Sequence, residues 1–200
     1  MTELVSLDDI ETPIGYLDLE RVRANARRMS AYAAAHGLGW RPHIKTHKST
    51  AVARLQLEAG ARGLSVATLR EAEVMSTLTG DLLLAYPPVG RSKLDRLVGL
   101  PRHVDMKVAL DSQAVLSALS ERAAAAARTV GVLVEVDMGL GRVGVQSPAA
   151  AVALAREVDR LPGVEFRGVL FYPGHIRTPP SEQAGPLAAL AERLAQVLGA

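Results

Sequence analysis

The sequence predicts an α/β fold in which short parallel strands alternate with helices, and three observations carry that prediction. A short apolar run, a polar turn, an amphipathic stretch and a Gly or Pro stop recur along the chain. Six of the apolar runs have the length of a strand. The amphipathic stretches open on Asp, Ser or Thr, which cap helix N-termini. Such strands pair in parallel with both faces covered. They fit either a doubly wound sheet or most of a (β/α)8 barrel. A full barrel typically takes about 250 residues, so the 200 residues here hold about six β/α units of one, with two units missing. No linker divides the chain, which reads as one partial barrel over residues 1–200.

The first helix begins at Asp18 as N-cap, carries Leu19, Val22, Ala26, Met29 and Ala33 at three- and four-residue spacing, and stops at Gly37. Strand one covers residues 40–45, and its helix runs from near Ser49 to Gly60, burying Val52, Leu55 and Ala59. Strand two is 63–66. Thr68 and Glu71 then form a T-x-x-E capping box for a helix that ends by Gly80. Strand three, 81–85, is stopped by Pro87 and Pro88. Strand four lies near 106–110, and its helix carries Val115, Leu116 and Leu119. Strand five is 130–136, followed by a helix capped by Ser147 with Pro148 at its first position. Strand six is 164–171, and a last helix covers roughly 182–198. Strands one and six are left as open edges, so 200 residues on their own are expected to aggregate or to need further chain.

Composition excludes several classes of function. A net charge of +2 and only 4% aromatic residues give no basic, aromatic-rich surface for nucleic acid. The chain has no cysteine, which removes disulfides and thiolate metal sites. Residues 1–10 are acidic and mixed, unlike a signal peptide, and the apolar runs are interrupted before a membrane span of about 20 residues. A cytoplasmic protein with no membrane partner is the expectation.

Residues 41–48, Arg-Pro-His-Ile-Lys-Thr-His-Lys, carry the most chemistry. Strand alternation puts Arg41, His43 and Lys45 on one face and Trp40, Pro42 and Ile44 on the other. With Ile44 packed under the helices, Lys45 points into the barrel near the C-terminal strand end, where barrel active sites form. A low-dielectric wall there disfavours the ammonium and favours an amine nucleophile. On spacing alone, an ordinary strand-end lysine, reaching solvent or pairing with a carboxylate, is the better reading of Lys45. His43 and His47, four residues apart in a strand, are about 13 Å apart and too distant to share a metal ion; only a turn at Thr46 would bring them together. Lys48 reads as a surface or phosphate-side charge. Gly139-Leu140-Gly141-Arg142-Val143-Gly144 matches G-x-G-x-x-G, but the next helix starts near Ser147, so the glycines miss the helix N-terminus that dinucleotide binding uses.

The Arg-Pro-His-x-Lys-Thr-His-Lys run resembles the cofactor-lysine motif of the D-threonine aldolase and D-serine dehydratase family, fold-type III pyridoxal-phosphate enzymes related to the alanine racemase N-terminal barrel. Thr12-Pro13, Leu17-Asp18-Leu19 with Asn25, Val66-Ala67-Thr68 with Glu71-Ala72-Glu73, the run from Glu135 to Val145, and Gly168 to His175 resemble the same family in the same order. The resemblance implies a (β/α)8 barrel of the alanine racemase N-terminal type, incomplete in this chain. It implies pyridoxal 5'-phosphate held as a Schiff base on Lys45, with His43 and Thr68 as further cofactor contacts. Arg142 is implied to approach the phenolic oxygen of the cofactor ring, and Tyr172 to lie against the cofactor. His175 is implied to be a catalytic acid–base group on the substrate side.

Asp137 reads as a partner for Arg142 or Lys45, or as a turn residue. The substrate class implied is a D-β-hydroxy amino acid, cleaved to glycine and an aldehyde. Dehydration, racemisation and a non-catalytic cofactor carrier are the alternatives. The family's phosphate cup, C-terminal β-domain and divalent metal, Mn or Zn, are not represented in these residues. No metal ligand is assigned in this chain, and a homodimer is implied by analogy.

Overall fold

Five short parallel strands lie side by side in the order in which they occur in the chain. The computed structural model describes Ser6, Asp8 and residues 10–200. Most of the 1–10 segment read above as lacking a signal peptide therefore lies outside the described residues. The strands are β1 (Leu64–Val66), β2 (Asp81–Leu84), β3 (Asp105–Leu110), β4 (Val130–Glu135) and β5 (Val164–Leu170). A doubly wound sheet reverses its strand order at a switch point. The unreversed β1-β2-β3-β4-β5 order is that of a barrel wall. Among the described residues no helix is long and apolar enough to cross a membrane.

The helices are α1 (Leu19–Ala35), α2 (Thr50–Glu58), α3 (Leu69–Met75), α4 (Arg91–Val98), α5 (Gln113–Ala125), α6 (Pro148–Arg160) and α7 (Ala184–Leu198). Asp18, Ser49, Thr68, Ser112 and Ser147 cap α1, α2, α3, α5 and α6, each accepting a backbone N–H with its side chain. Alternate strand residues make the core. Leu64, Val66, Leu82, Leu84, Met106, Val108, Leu110, Val132 and Val134 are buried in one cluster with Leu69, Met75, Leu94, Leu97, Leu116, Leu119 and Val158 from the helices. The intervening residues turn to the other face of the sheet. There Asp81 accepts two hydrogen bonds from Arg41, at 2.5 and 2.8 Å, and one from Lys107 at 2.8 Å.

Several expectations need correction. Residues 40–45 do not form a strand. The segment is tied to β1 by the Arg62 and Ser65 N–H groups, which donate to the Trp40 and Pro42 carbonyls, and by one isolated parallel bridge, His43 to Ser65. Pro42 has no N–H to extend a ladder. The His43 imidazole accepts the Lys45 N–H at 3.3 Å, turning the chain into a 3-10 helix, Ile44–Thr46. The first of the six expected strands is thus an extended segment that ends in a turn.

Helix α4, between β2 and β3, is not among the helices expected from the sequence. It begins after Gly90, at φ 100°, with no side-chain cap, and buries only Leu94 and Leu97. The expected α1 stripe is also incomplete. Ala26 and Ala33 are buried, but Leu19 and Met29 stay about half exposed because α1 packs chiefly on α2. Helix α3 stops at Met75, short of Gly80, and α7 starts at Ala184 after a separate 3-10 turn, Pro180–Glu182.

Candidate active site

The C-terminal ends of the strands surround a cleft of about 420 Å³. Arg41, His43 and Lys45 line one side, as the alternation predicts, and Ile44 on the opposite face is fully buried in the core. The far side consists of Glu135 at the end of β4, Arg142 from the loop after it, and Leu170, Phe171 and Tyr172 at the end of β5. Chain positions more than 90 residues apart therefore meet across the cleft.

Tyr172 lies within reach of two cations. The Arg142 guanidinium carbon is 5.1 Å from the centre of its ring, and Lys45 Nζ is 6.0 Å from it. The ring rests over Gly174, where any Cβ would collide with it. Lys45 is exposed, contrary to the low-dielectric wall expected of it, because the 3-10 turn lifts it off the sheet. His43 is half-buried. Burial first, and the Lys45 ammonium second, hold its imidazole below the ordinary histidine pKa, so a neutral ring faces the cleft. With Nδ1 accepting the Lys45 N–H, the ring proton belongs on Nε2.

Glu135 is the residue that sequence reasoning did not assign to the site. It is 2% exposed, its Oε1 is 3.7 Å from Arg142 Nη2, and its Oε2 has no hydrogen-bond partner. Burial, added to by Asp111 and only partly relieved by Arg142, raises its carboxyl to about 6. The signal was present in the sequence: an ionisable residue closes the valine-rich run of β4, where an unpaired charge is costly.

The glycine-rich loop after β4 is a folded-back turn. Asp137 Oδ1 accepts the Gly139 and Gly141 N–H groups at 2.9 and 3.1 Å, and Asp111 accepts that of Gly144 at 2.8 Å. Gly144 sits at φ 111°, and a Cβ there would strike the backbone of Val136 and Asp137. The loop's N–H groups are thus turned inward, which agrees with rejecting a dinucleotide fingerprint. Asp137 serves as the turn residue, and Glu135 partners Arg142.

The other expected site residues are placed apart from the cleft. Thr68 accepts the Glu71 N–H at 3.2 Å and lines a neighbouring cleft with Tyr86 and Pro87. His175 is exposed and packs its ring against Gly139, outside the walls around Lys45. Lys48 pairs with buried Glu71 at 2.6 Å instead of standing free. Among the described residues no group of three or more His, Asp or Glu side chains is arranged to hold a metal ion.

A family model described as alanine racemase, N-terminal domain, matches residues 17–199. The D-threonine aldolase of Arthrobacter sp is 37% identical over 190 residues, covering 93% of this chain and 50% of that protein. The 3-hydroxy-D-aspartate aldolase of Paracoccus denitrificans is 34% identical over 169 residues, covering 83% and 44%. The crystal structure of D-threonine aldolase from Filomicrobium marinum superposes with a TM-score of 0.91 at 35% identity, covering 97% of this chain and 53% of that one. The chain spans about half the length of the curated relatives it matches.

Proposed function

Because this chain belongs to the alanine racemase N-terminal domain family, we propose that its cleft binds pyridoxal 5'-phosphate and serves a lyase that cleaves D-β-hydroxy amino acids to glycine and an aldehyde. The observation that supports this most is the convergence of an amine, a guanidinium and a phenol, from Lys45, Arg142 and Tyr172, in one cleft. A volume of about 420 Å³ suits a small aromatic aldehyde and its amino-acid substrate. The buried, unpartnered Glu135 oxygen marks the cleft as a site with polar capacity to spare.

Lys45 would hold the cofactor through Nζ. When bound, the cofactor supplies an electron sink for the pair released at the substrate Cα. Arg142, paired with Glu135, would hold a permanent positive charge for the cofactor's ring oxygen. Tyr172 would pack on the cofactor, and neutral His43 would offer a donor on Nε2 without adding a charge. By the resemblance, His175 is the candidate base for the β-hydroxyl proton, although its ring lies outside the walls around Lys45. Loss of that proton turns the Cβ–O bond into a carbonyl as Cα–Cβ breaks, and a proton returned to Cα completes glycine. Substrate and oligomer belong to the same proposal: a small D-amino acid and a homodimer of the full-length protein. For the divalent metal that the resemblance implies, the described residues offer no three-ligand set, and the proposal rests on no metal step.

The test is to add pyridoxal phosphate, trap the adduct with borohydride and map it by mass spectrometry, then supply D-threonine. A visible absorption band, a reduced adduct on Lys45 and release of glycine support the reading. Release of ammonia and a keto acid instead would make the enzyme a dehydratase, and loss of optical activity a racemase. Binding without turnover would make it a carrier, and no adduct on Lys45 refutes the site.

A further inference from the structure

We propose that Lys48 and Glu71 form a positioning clamp that fixes the turn carrying Lys45, an inference that rests on Lys45 being the attachment point. Neither side chain lines the cleft. Lys48 closes the turn: its N–H donates to the Ile44 carbonyl at 2.8 Å, across the Ile44–Thr46 3-10 helix in which Lys45 is the middle residue. It does so at φ 50°, in the left-handed region. That conformation is unfavourable for a side-chain-bearing residue, and glycine or asparagine usually occupies such a closing position.

What this lysine gains there is its reach. Its ammonium meets Glu71 Oε1 at 2.6 Å, and Glu71 lies in the first turn of α3 and is 6% exposed. The other Glu71 oxygen accepts the Ala67 N–H at 2.7 Å, and Ala67 follows β1 and lines the cleft. One carboxylate therefore fastens the end of the Lys45 turn to the C-terminal end of the neighbouring strand. Burial pushes the Glu71 carboxyl up, but the Lys48 and Ala67 hydrogen bonds outweigh it and hold it below the ordinary glutamate value, so the clamp is charged near neutrality. Upstream, His43 accepts the Lys45 N–H at 3.3 Å and bridges to Ser65 on the same strand. Lys45 is thus held to β1 from both sides, while its own side chain stays free to react.

An ordinary ion pair with one exposed partner would affect stability slightly and attachment not at all. The clamp affects attachment. Lys48→Gly removes the charge and also relieves the left-handed backbone, so folding is expected to stay near that of the unsubstituted protein. Glu71→Gln keeps an acceptor for Ala67 and loses the ion pair. Each is expected to weaken pyridoxal phosphate attachment, read from saturation of the visible band, by about tenfold, the scale of a small misplacement of a reacting group.

The double variant should be no worse than the worse single, and Lys48→Arg should restore most of the loss. Attachment unchanged in both single variants, or effects that simply multiply in the double, would overturn the clamp. Should Glu71→Gln fail to fold, Lys48→Gly with its Lys48→Arg rescue decides alone. If the unsubstituted protein forms no Lys45 adduct, the attachment reading falls and the clamp with it. If it does and the variants match it, only the clamp falls.

Discussion

Replacing Glu135 with glutamine removes a charge that folding resists and that Arg142 uses. The side chain is 2% exposed, and its carboxyl is raised from 4.5 to about 6, burial being the largest cause. Below 4.5 both folded and unfolded chains hold the proton and the residue costs nothing. As pH rises towards 6 the unfolded chain ionises first, so stability falls through that window and stays lower above it. At about 1.36 kcal/mol per decade the full penalty is ~2 kcal/mol. Glutamine never ionises. The variant is therefore expected to be more stable by about 2 kcal/mol near pH 8 and by under ~1 kcal/mol near pH 5. In a chain of this size the larger figure is a rise of roughly 4–8 °C in Tm. Urea or thermal unfolding at the two pH values measures it. The same variant should bind pyridoxal phosphate more weakly, because Arg142 loses the carboxylate 3.7 Å behind it. A variant less stable near pH 8, or one whose advantage is equal at both pH values, would refute the reasoning that burial of the charge dominates.

Three other substitutions test the cleft from different sides. Lys45→Ala should abolish the visible band and turnover together, whereas His175→Ala should keep the band and lose turnover; loss of the band in the histidine variant would mean that it supports the fold of the loop instead. Gly174→Ala drives a methyl into the Tyr172 ring and should weaken cofactor binding at least tenfold, with under ~1 kcal/mol of stability lost, since the ring is half exposed; cofactor titration beside urea unfolding checks both. Gly144→Ala meets backbone at φ 111° and should cost roughly 2–4 kcal/mol in urea unfolding, from left-handed strain plus overpacking.

The parts of the fold legible in the sequence were those written in local chemistry. Asp18, Ser49, Thr68 and Ser147 cap the helices expected of them, and the apolar runs of β2 to β5 fall within a residue or two of their predicted bounds. What failed was governed by partners far along the chain or by a competing local bond. Residues 40–45 have strand composition, but Pro42 and the His43 ring divert the backbone into a turn. Helix α4 has neither a cap nor a long stripe, and two leucines seated on the core suffice for it. The α1 stripe has the period of a buried helix, yet periodicity shows which residues share a face and not what covers it.

The site divides along the same line. Alternation alone set Arg41, His43 and Lys45 on one wall, because period two is a property of extended backbone. The one local sign of Glu135, a carboxylate closing a valine-rich run, did not say what it faces, and nothing local told Lys48 from a surface charge. Each is defined by a partner on another segment: Arg142 across the loop, and Glu71 across the groove between the turn and α3. Both features violate a local rule. One is a charge buried among valines, the other a lysine in a backbone region that favours glycine. Such violations persist when the surroundings impose them, and they gather at functional sites. Glu135 and Lys48 stand behind Arg142 and Lys45, the two cations within reach of Tyr172, one on each wall of the cleft. A cleft that only had to fold would be more stable with glutamine at 135 and less strained with glycine at 48. That both alternatives are absent is what the chemistry proposed for Lys45 and Arg142 requires, and it is why stability and cofactor attachment should move in opposite directions in Glu135→Gln.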